Sequence, residues 1–201
     1  MDPFVEKLFR YRQILRGDLP SPARRTVEWL LVTAIREHTG LNPYAAPWGE
    51  QPTPSLVTVA NDALEQAVTL TEAQFGILQI YVSEQNALLM VAQRNFDADF
   101  LDQFACFTPD GRTSCSQALA ARRRVIVGDV SNDDLFAPHA SAALSAGFRA
   151  VQSTPLMSQS GDPIGMLSTH FASPRSFSND ELARIDAHVS DVSSELARAI
   201  G

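Results

Sequence analysis

Residues 147–174, GFRAVQSTPLMSQSGDPIGMLSTHFASP, place polar side chains in the middle of two apolar runs. Gln152, Ser153, Thr154, Ser168, Thr169 and His170 sit among Val151, Leu156, Met166, Leu167 and Phe171. The two runs read as strands, and Ser160-Gly161-Asp162-Pro163 between them has the composition of a tight turn. A polar group in the middle of a strand is costly to bury unless it is hydrogen-bonded. This hairpin therefore lines either a wet pocket or a buried polar network. Successive strand residues point to opposite faces, so Met166, Ser168 and His170 share one face and Leu167, Thr169 and Phe171 the other. The second set is the more apolar and should meet helices, which leaves the first facing the pocket.

The rest of the chain supplies the layers such a hairpin needs. Leu56, Val57, Ala60, Ala63, Leu64, Ala67 and Val68 recur at helical spacing across 55–70. FGILQIYV (75–82) and ALLMVAQRNF (87–96) read as strands joined through SEQN. DADFLDQFACF (97–107) suggests a short helix, and Ser114 with Gln117 has capping-box spacing for the start of another. VIVGDV (125–130) reads as a buried strand and PHASAALSAG (138–147) as a helix capped by Gly147. In the last helix Ser178 and Glu181 form a capping box. Leu182, Ile185, Val189, Val192 and Leu196 then follow at alternating spacings of three and four. That stripe can pack on its own sheet or pair with another helix. The order predicts an α+β fold, an antiparallel sheet between terminal helices on one face and internal helices on the other.

Residues 1–54 read as a helical extension with a Pro-rich linker, and 55–201 as the core domain. Residues 2–16 and 22–39 have helical patterns, and LNPYAAPWGEQPTP (41–54) is proline-rich. The two helices either offer an interaction surface or cap the core.

Composition narrows the chemistry. Net charge is −7, which disfavours bulk attraction to nucleic acid. Lys7 is the only lysine, so Schiff-base chemistry and GxxxxGK phosphate loops are absent from the core domain. Arg122-Arg123-Arg124 reads as a solvated helix end. No run reaches the ~20 apolar residues of a membrane span and none at the N-terminus has signal-peptide character. A soluble cytoplasmic protein with reduced thiols is expected.

Within the core domain, SCSQALAARRRVIVGDVSNDDLFAP (114–138), AGFRAVQSTPL (146–156) and GDPIGMLSTHF (161–171) resemble the central helix with its acidic loop, the small-polar and proline strand, and the last hairpin strand of GAF domains. The likeness covers 55–200 and is nearest to GAF domains associated with bacterial histidine kinases. It implies a small-molecule sensor with a pocket between the sheet and the internal helices. The candidate ligand-binding residues are Gln79, Gln93, Cys115, His139, Arg149, Gln152, Ser168 and His170. Arg149 is also readable as an exposed strand-start charge, and the strand residues as a ligand-free network or as exposed positions on an open sheet face.

Haem-binding GAF domains use a histidine in the region of His139, which makes haem a candidate cofactor. Bilin-binding relatives attach the pigment through a cysteine followed by histidine. Here Cys106 precedes Phe107 and Cys115 precedes Ser116, which argues against a covalent bilin. His38, His139, His170 and His188 show no metal-site spacing, and Asp129, Asp133 and Asp134 lack that of a calcium loop, so capping is their expected role. The resemblance also touches free methionine-R-sulfoxide reductases through Cys106 and Cys115. That branch needs a third thiol where this chain has LFAPHASAA.

The sequence thus points to a stand-alone GAF-type sensor with no catalytic residues. Its output would pass to a partner such as a histidine kinase or regulator, or through a homodimer of terminal helices. A ligand-free dimerisation module and a thiol-dependent reductase are the alternatives.

Overall fold

The computed structural model describes residues 54–200, apart from 84–85, 98–99, 101–103, 105, 108–111 and 135. The sequence expectations for residues 1–53 lie outside the described residues. The elements in chain order are α1 (Pro54–Thr71), β1 (Phe75–Val82), β2 (Ala87–Arg94), β3 (Cys106–Phe107), α2 (Ser114–Ala121), β4 (Val125–Val127), α3 (Ala137–Ser145), β5 (Ala150–Met157), β6 (Pro163–Phe171) and α4 (Asn179–Ile200). The strands form one antiparallel sheet in the order β3-β2-β1-β6-β5-β4.

One face of the sheet is covered by the terminal helices. Leu56, Ala60, Ala63, Leu64, Ala67 and Val68 of α1 meet Ile185, Val189, Val192 and Leu196 of α4 over Leu78, Ile80, Leu156, Leu167 and Phe171. The three-and-four stripe of α4 is therefore buried within its own domain, Leu196 completely. Two glycines permit this close packing. A Cβ at Gly76 would lie 2.7 Å from Leu64 Cδ1, and one at Gly165 would lie 2.5 Å from the Gln79 carbonyl oxygen. The start of α4 is fixed by a reciprocal capping box: the Ser178 N–H donates to Glu181 Oε2 at 2.8 Å, and the Glu181 N–H donates to Ser178 Oγ at 3.3 Å. The Ser178 N–H and hydroxyl both donate to the Glu181 carboxylate and hold it below its usual range, with help from Arg175.

The other face carries α2, α3 and the aromatic residues Phe96, Phe100, Phe136 and Phe148, packed on Ile77, Met90, Val127 and Val151. Three local expectations change here. Cys106–Phe107 is an edge strand paired with Leu88 and Leu89, so the helix expected across 97–107 does not run to its end. The strand expected across 125–130 stops at Val127. The cap of α2 is Thr113, one residue before Ser114: its Oγ1 accepts from the Ser116 N–H at 3.2 Å. In addition, Arg122 and Arg123 are exposed as a solvated helix end should be, but Arg124 is not.

Candidate functional site

The sheet face beneath α2 and α3 forms the floor of a cleft. Gln79 on β1 and Ser168 and His170 on β6 lie on that floor, and Ile77 sits beside them. Thr113, Ser114 and Cys115 enter from the N-terminal turn of α2, His139 and Ala143 from α3, and Phe100, Phe104, Phe136 and Phe148 close the sides. The cleft holds about 40 Å³. At roughly 10–15 Å³ per water-sized site, this is space for two to four waters in the conformation described.

Its polar groups are organised by strand register. The β5–β6 hairpin pairs Ser153 with Ser168, and their hydroxyls are hydrogen-bonded at 2.7 Å. Ser153 also bonds Ser114 at 2.9 Å, so a chain of three buried hydroxyls ties the first turn of α2 to the middle of the sheet. Thr113 Oγ1 lies 2.7 Å from Ser116 Oγ and 3.0 Å from Cys115 Sγ. His170 stands two residues along the same face. Its ring meets Phe148 and Phe96 edge-on, with centroids 4.7 and 5.0 Å away. Burial pushes its pKa down to about 3, so the imidazole is neutral, and its Nδ1 has no hydrogen-bond partner among the described residues.

Among the described lining residues there is no Asp, Glu, Lys or Arg. An ionised ligand would therefore enter without a counter-charge, which is costly at a buried site. Among the described residues, no group of three or more His, Cys, Asp or Glu could hold a metal ion.

Five of the eight candidates from the sequence line this cleft: Gln79, Cys115, Ser168, His170 and His139. Three lie elsewhere. Gln152 is one residue out of phase with Ser153, so it faces the terminal helices beside Leu167, Thr169 and Ile185, where its Nε2 donates to Thr154 Oγ1 at 3.0 Å. Gln93 is exposed near the end of β2, and its Oε1 accepts from the Phe96 N–H at 3.1 Å. Arg149 turns outward and clamps Asp129 with both Nε and Nη2, at 2.7–3.0 Å. That pair holds the Asp129 carboxyl below its usual range. Asp133 accepts from the Phe136 N–H at 2.8 Å, so the acidic loop performs capping as its composition suggests.

The candidates from the sequence left out Ser153 and the cleft role of Ser114; Ser153 meets Ser168 because the β5–β6 register shifts by one residue between Leu156 and Met157, beyond the turn. The candidates also left out the phenylalanine walls, which come from separate segments and have no spacing signal. For haem, His139 is in place, but the cleft described is far below the several hundred Å³ of a pocket for a large ligand. The residues as arranged do not fit a tetrapyrrole.

The GAF domain family profile matches residues 53–196, more than half of the chain. The chain belongs to the GAF domain family. Solved structures share the fold. A GAF domain from a GAF domain/HD domain protein of Geobacter sulfurreducens superposes with TM-score 0.60 at 18% identity, covering 72% of this chain and 93% of that one. A segment of a methyl-accepting chemotaxis protein gives 0.57 at 18% identity, covering 72% and 90%. The phycoerythrobilin-bound GAF domain from a cyanobacterial phytochrome gives 0.57 at 16%, covering 72% and 86%. At these identities the likeness shows the fold alone. No curated protein matches the chain. Among the described residues no helix is long and apolar enough to cross a membrane.

Proposed function

We propose that this GAF domain is a sensor whose cleft binds a small uncharged molecule, and that occupancy is read out through the terminal helices. The observation that carries this is the floor of the cleft. Gln79, Ser168 and His170 are buried polar groups on a sheet face, surrounded by aromatic walls and without any charged side chain. A purely structural core would favour apolar residues at these positions. Convergent neutral polar groups between aromatic walls are instead what fixes the orientation of a small ligand. The occurrence of the fold in a chemotaxis protein and a phytochrome supports a sensory role.

The output partner is a second protein, such as a histidine kinase or regulator, or a second copy of the chain. Because the apolar stripe of α4 is buried in its own core, a homodimer through the terminal helices would use their outer face, where Asp191, Glu195 and Arg198 flank a shallow groove.

A thermal-shift panel of small shape-matched pairs tests the ligand class, for example acetamide against acetate and propan-2-ol against isopropylamine. A ligand at a hundred times its Kd adds about 2.7 kcal/mol of stability, which raises Tm by several degrees. Uncharged members should raise Tm and charged ones should not, and Ser168→Ala should reduce the shift. A larger shift with the charged members would reject the proposed chemistry.

A further inference from the structure

The sheet separates the cleft from the terminal helices, and alternate side chains on each strand face only one layer. A change in the cleft must reach α4 either by moving the sheet itself or by passing round its edge. The β4 edge has the connections for the second route. Upstream of β4, α2 begins in the cleft wall at Thr113, Ser114 and Cys115 and ends at the Arg122–Arg124 turn. Downstream, the loop anchored by Asp129 leads to Phe136 and α3, which form another wall of the cleft.

Both ends of β4 are also tied to the approach and first turns of α4. At one end the Arg124 side chain, 13% exposed, reaches across the sheet edge. Its Nε donates to Thr154 Oγ1 at 3.1 Å, and its Nη2 donates to the Leu182 carbonyl at 3.4 Å and to the Asp186 carboxylate. Thr154 is itself bonded to Gln152 on the helix-facing side of the sheet. At the other end the Arg175 N–H donates to the Gly128 carbonyl at 2.9 Å. Arg175 in turn pairs with Glu181 at 2.8 Å and lies over the rings of Phe171 and Phe177.

We propose that Arg124 is the positioning residue that couples the cleft to α4. This rests on the sensor reading of the cleft given above. Movement of the N-terminal turn of α2 shifts the Arg122–Arg124 turn, because the helix between them is only eight residues long and rigidly hydrogen-bonded. The planar guanidinium then changes its grip on Leu182 and Asp186, which alters the first two turns of α4. A ligand biases this equilibrium only by the difference in its affinity for the two arrangements. Arginine suits the role because its planar fork holds several acceptors in a fixed geometry, whereas the donors of a lysine ammonium rotate freely on a flexible stem.

The test uses a covalent probe in the cleft. In full-length protein carrying Cys106→Ser, methyl methanethiosulfonate adds a methylthio group to Cys115. Amide hydrogen exchange is then followed in residues 114–121 and 179–186, with and without the probe. A change of about fivefold or more in both segments is expected, the lower end of ordinary allosteric coupling. With Arg124→Gln added, α2 should respond as before while α4 changes by less than about twofold. Asp186→Asn, which alters only the exposed end of the clasp, should give the same separation, so the result does not depend on how well one variant folds. An α4 response that survives both substitutions, or is missing from the parent, overturns the coupling role while leaving the cleft reading intact. Failure of α2 itself to respond overturns the coupling role, because its first turn then transmits nothing; the cleft reading fails separately, in the thermal-shift panel.

Discussion

Leu196→Ala tests whether the stripe on α4 belongs to this domain or to a helix pair. Leu196 is completely buried against the core that α1, α4 and the sheet share. The substitution removes three carbons, worth about 0.8 kcal/mol each in transfer, or about 2.4 kcal/mol together. The methyl groups also meet a tight spot: Leu196 Cδ2 lies 3.1 Å from where a Cβ on Gly165 would stand. Neighbours this close to the sheet backbone cannot collapse far into the space, so a cavity contribution adds to the transfer loss. A total of about 3–4 kcal/mol is expected, within the usual range for buried leucines. The loss should be measured by urea unfolding followed by far-ultraviolet circular dichroism, which follows the helices and strands of the domain themselves. Sedimentation velocity on the same samples should show no change in oligomeric state. A loss below about 1 kcal/mol accompanied by a lower sedimentation coefficient would refute the reasoning, because the side chain would then be serving an intermolecular contact.

Gly165→Ala should destabilise by about 3 kcal/mol or more or prevent folding, since its Cβ would meet backbone at Gln79; soluble yield and Tm report this. Ser153→Ala cuts the hydroxyl chain in its middle and leaves Ser114 and Ser168 each short of a partner, for an expected cost of about 1–3 kcal/mol in urea unfolding. His170 supplies a pH dependence. Its folded pKa is about 3 against 6.5 for the free side chain, so the unfolded chain binds the extra proton first. Stability is full above pH 6.5 and falls as pH drops towards 3, by up to about 1.4 kcal/mol per unit. The carboxyls of Asp129 and Glu181 are held low, so their contributions are lost only as pH falls below about 5. Between pH 6 and 5 the wild type should therefore lose stability more steeply than His170→Phe in urea unfolding; equal slopes would exclude a buried neutral His170.

The layers were legible in the sequence because burial imposes periodicity. The stripe on α4, the spacing on α1 and the alternation along β6 each follow from which side of an element meets the core. The separation of Ser168 and His170 from Leu167 and Phe171 is an example, since one set lies on the cleft and the other under the terminal helices. What periodicity alone does not supply is phase between strands. Gln152 stood out by its chemistry, but in a strand buried on both faces the choice between it and Ser153 depends on register, and a one-residue shift between Leu156 and Met157 puts Ser153 opposite Ser168. Arg149 was equally visible as a charge, yet its direction depends on Asp129, twenty residues away, which fits both oxygens to the guanidinium. The phenylalanine walls and the Arg124 clasp join segments far apart in the chain. No local pattern encodes such contacts.

Native mass spectrometry of freshly purified full-length protein, recorded with its absorbance spectrum, tests the central proposal most directly. A retained small uncharged molecule, lost when Ala143→Phe fills the cleft from α3, is the result expected. A haem or bilin absorbance band, a charged ligand, or a retained molecule indifferent to Ala143→Phe would contradict it.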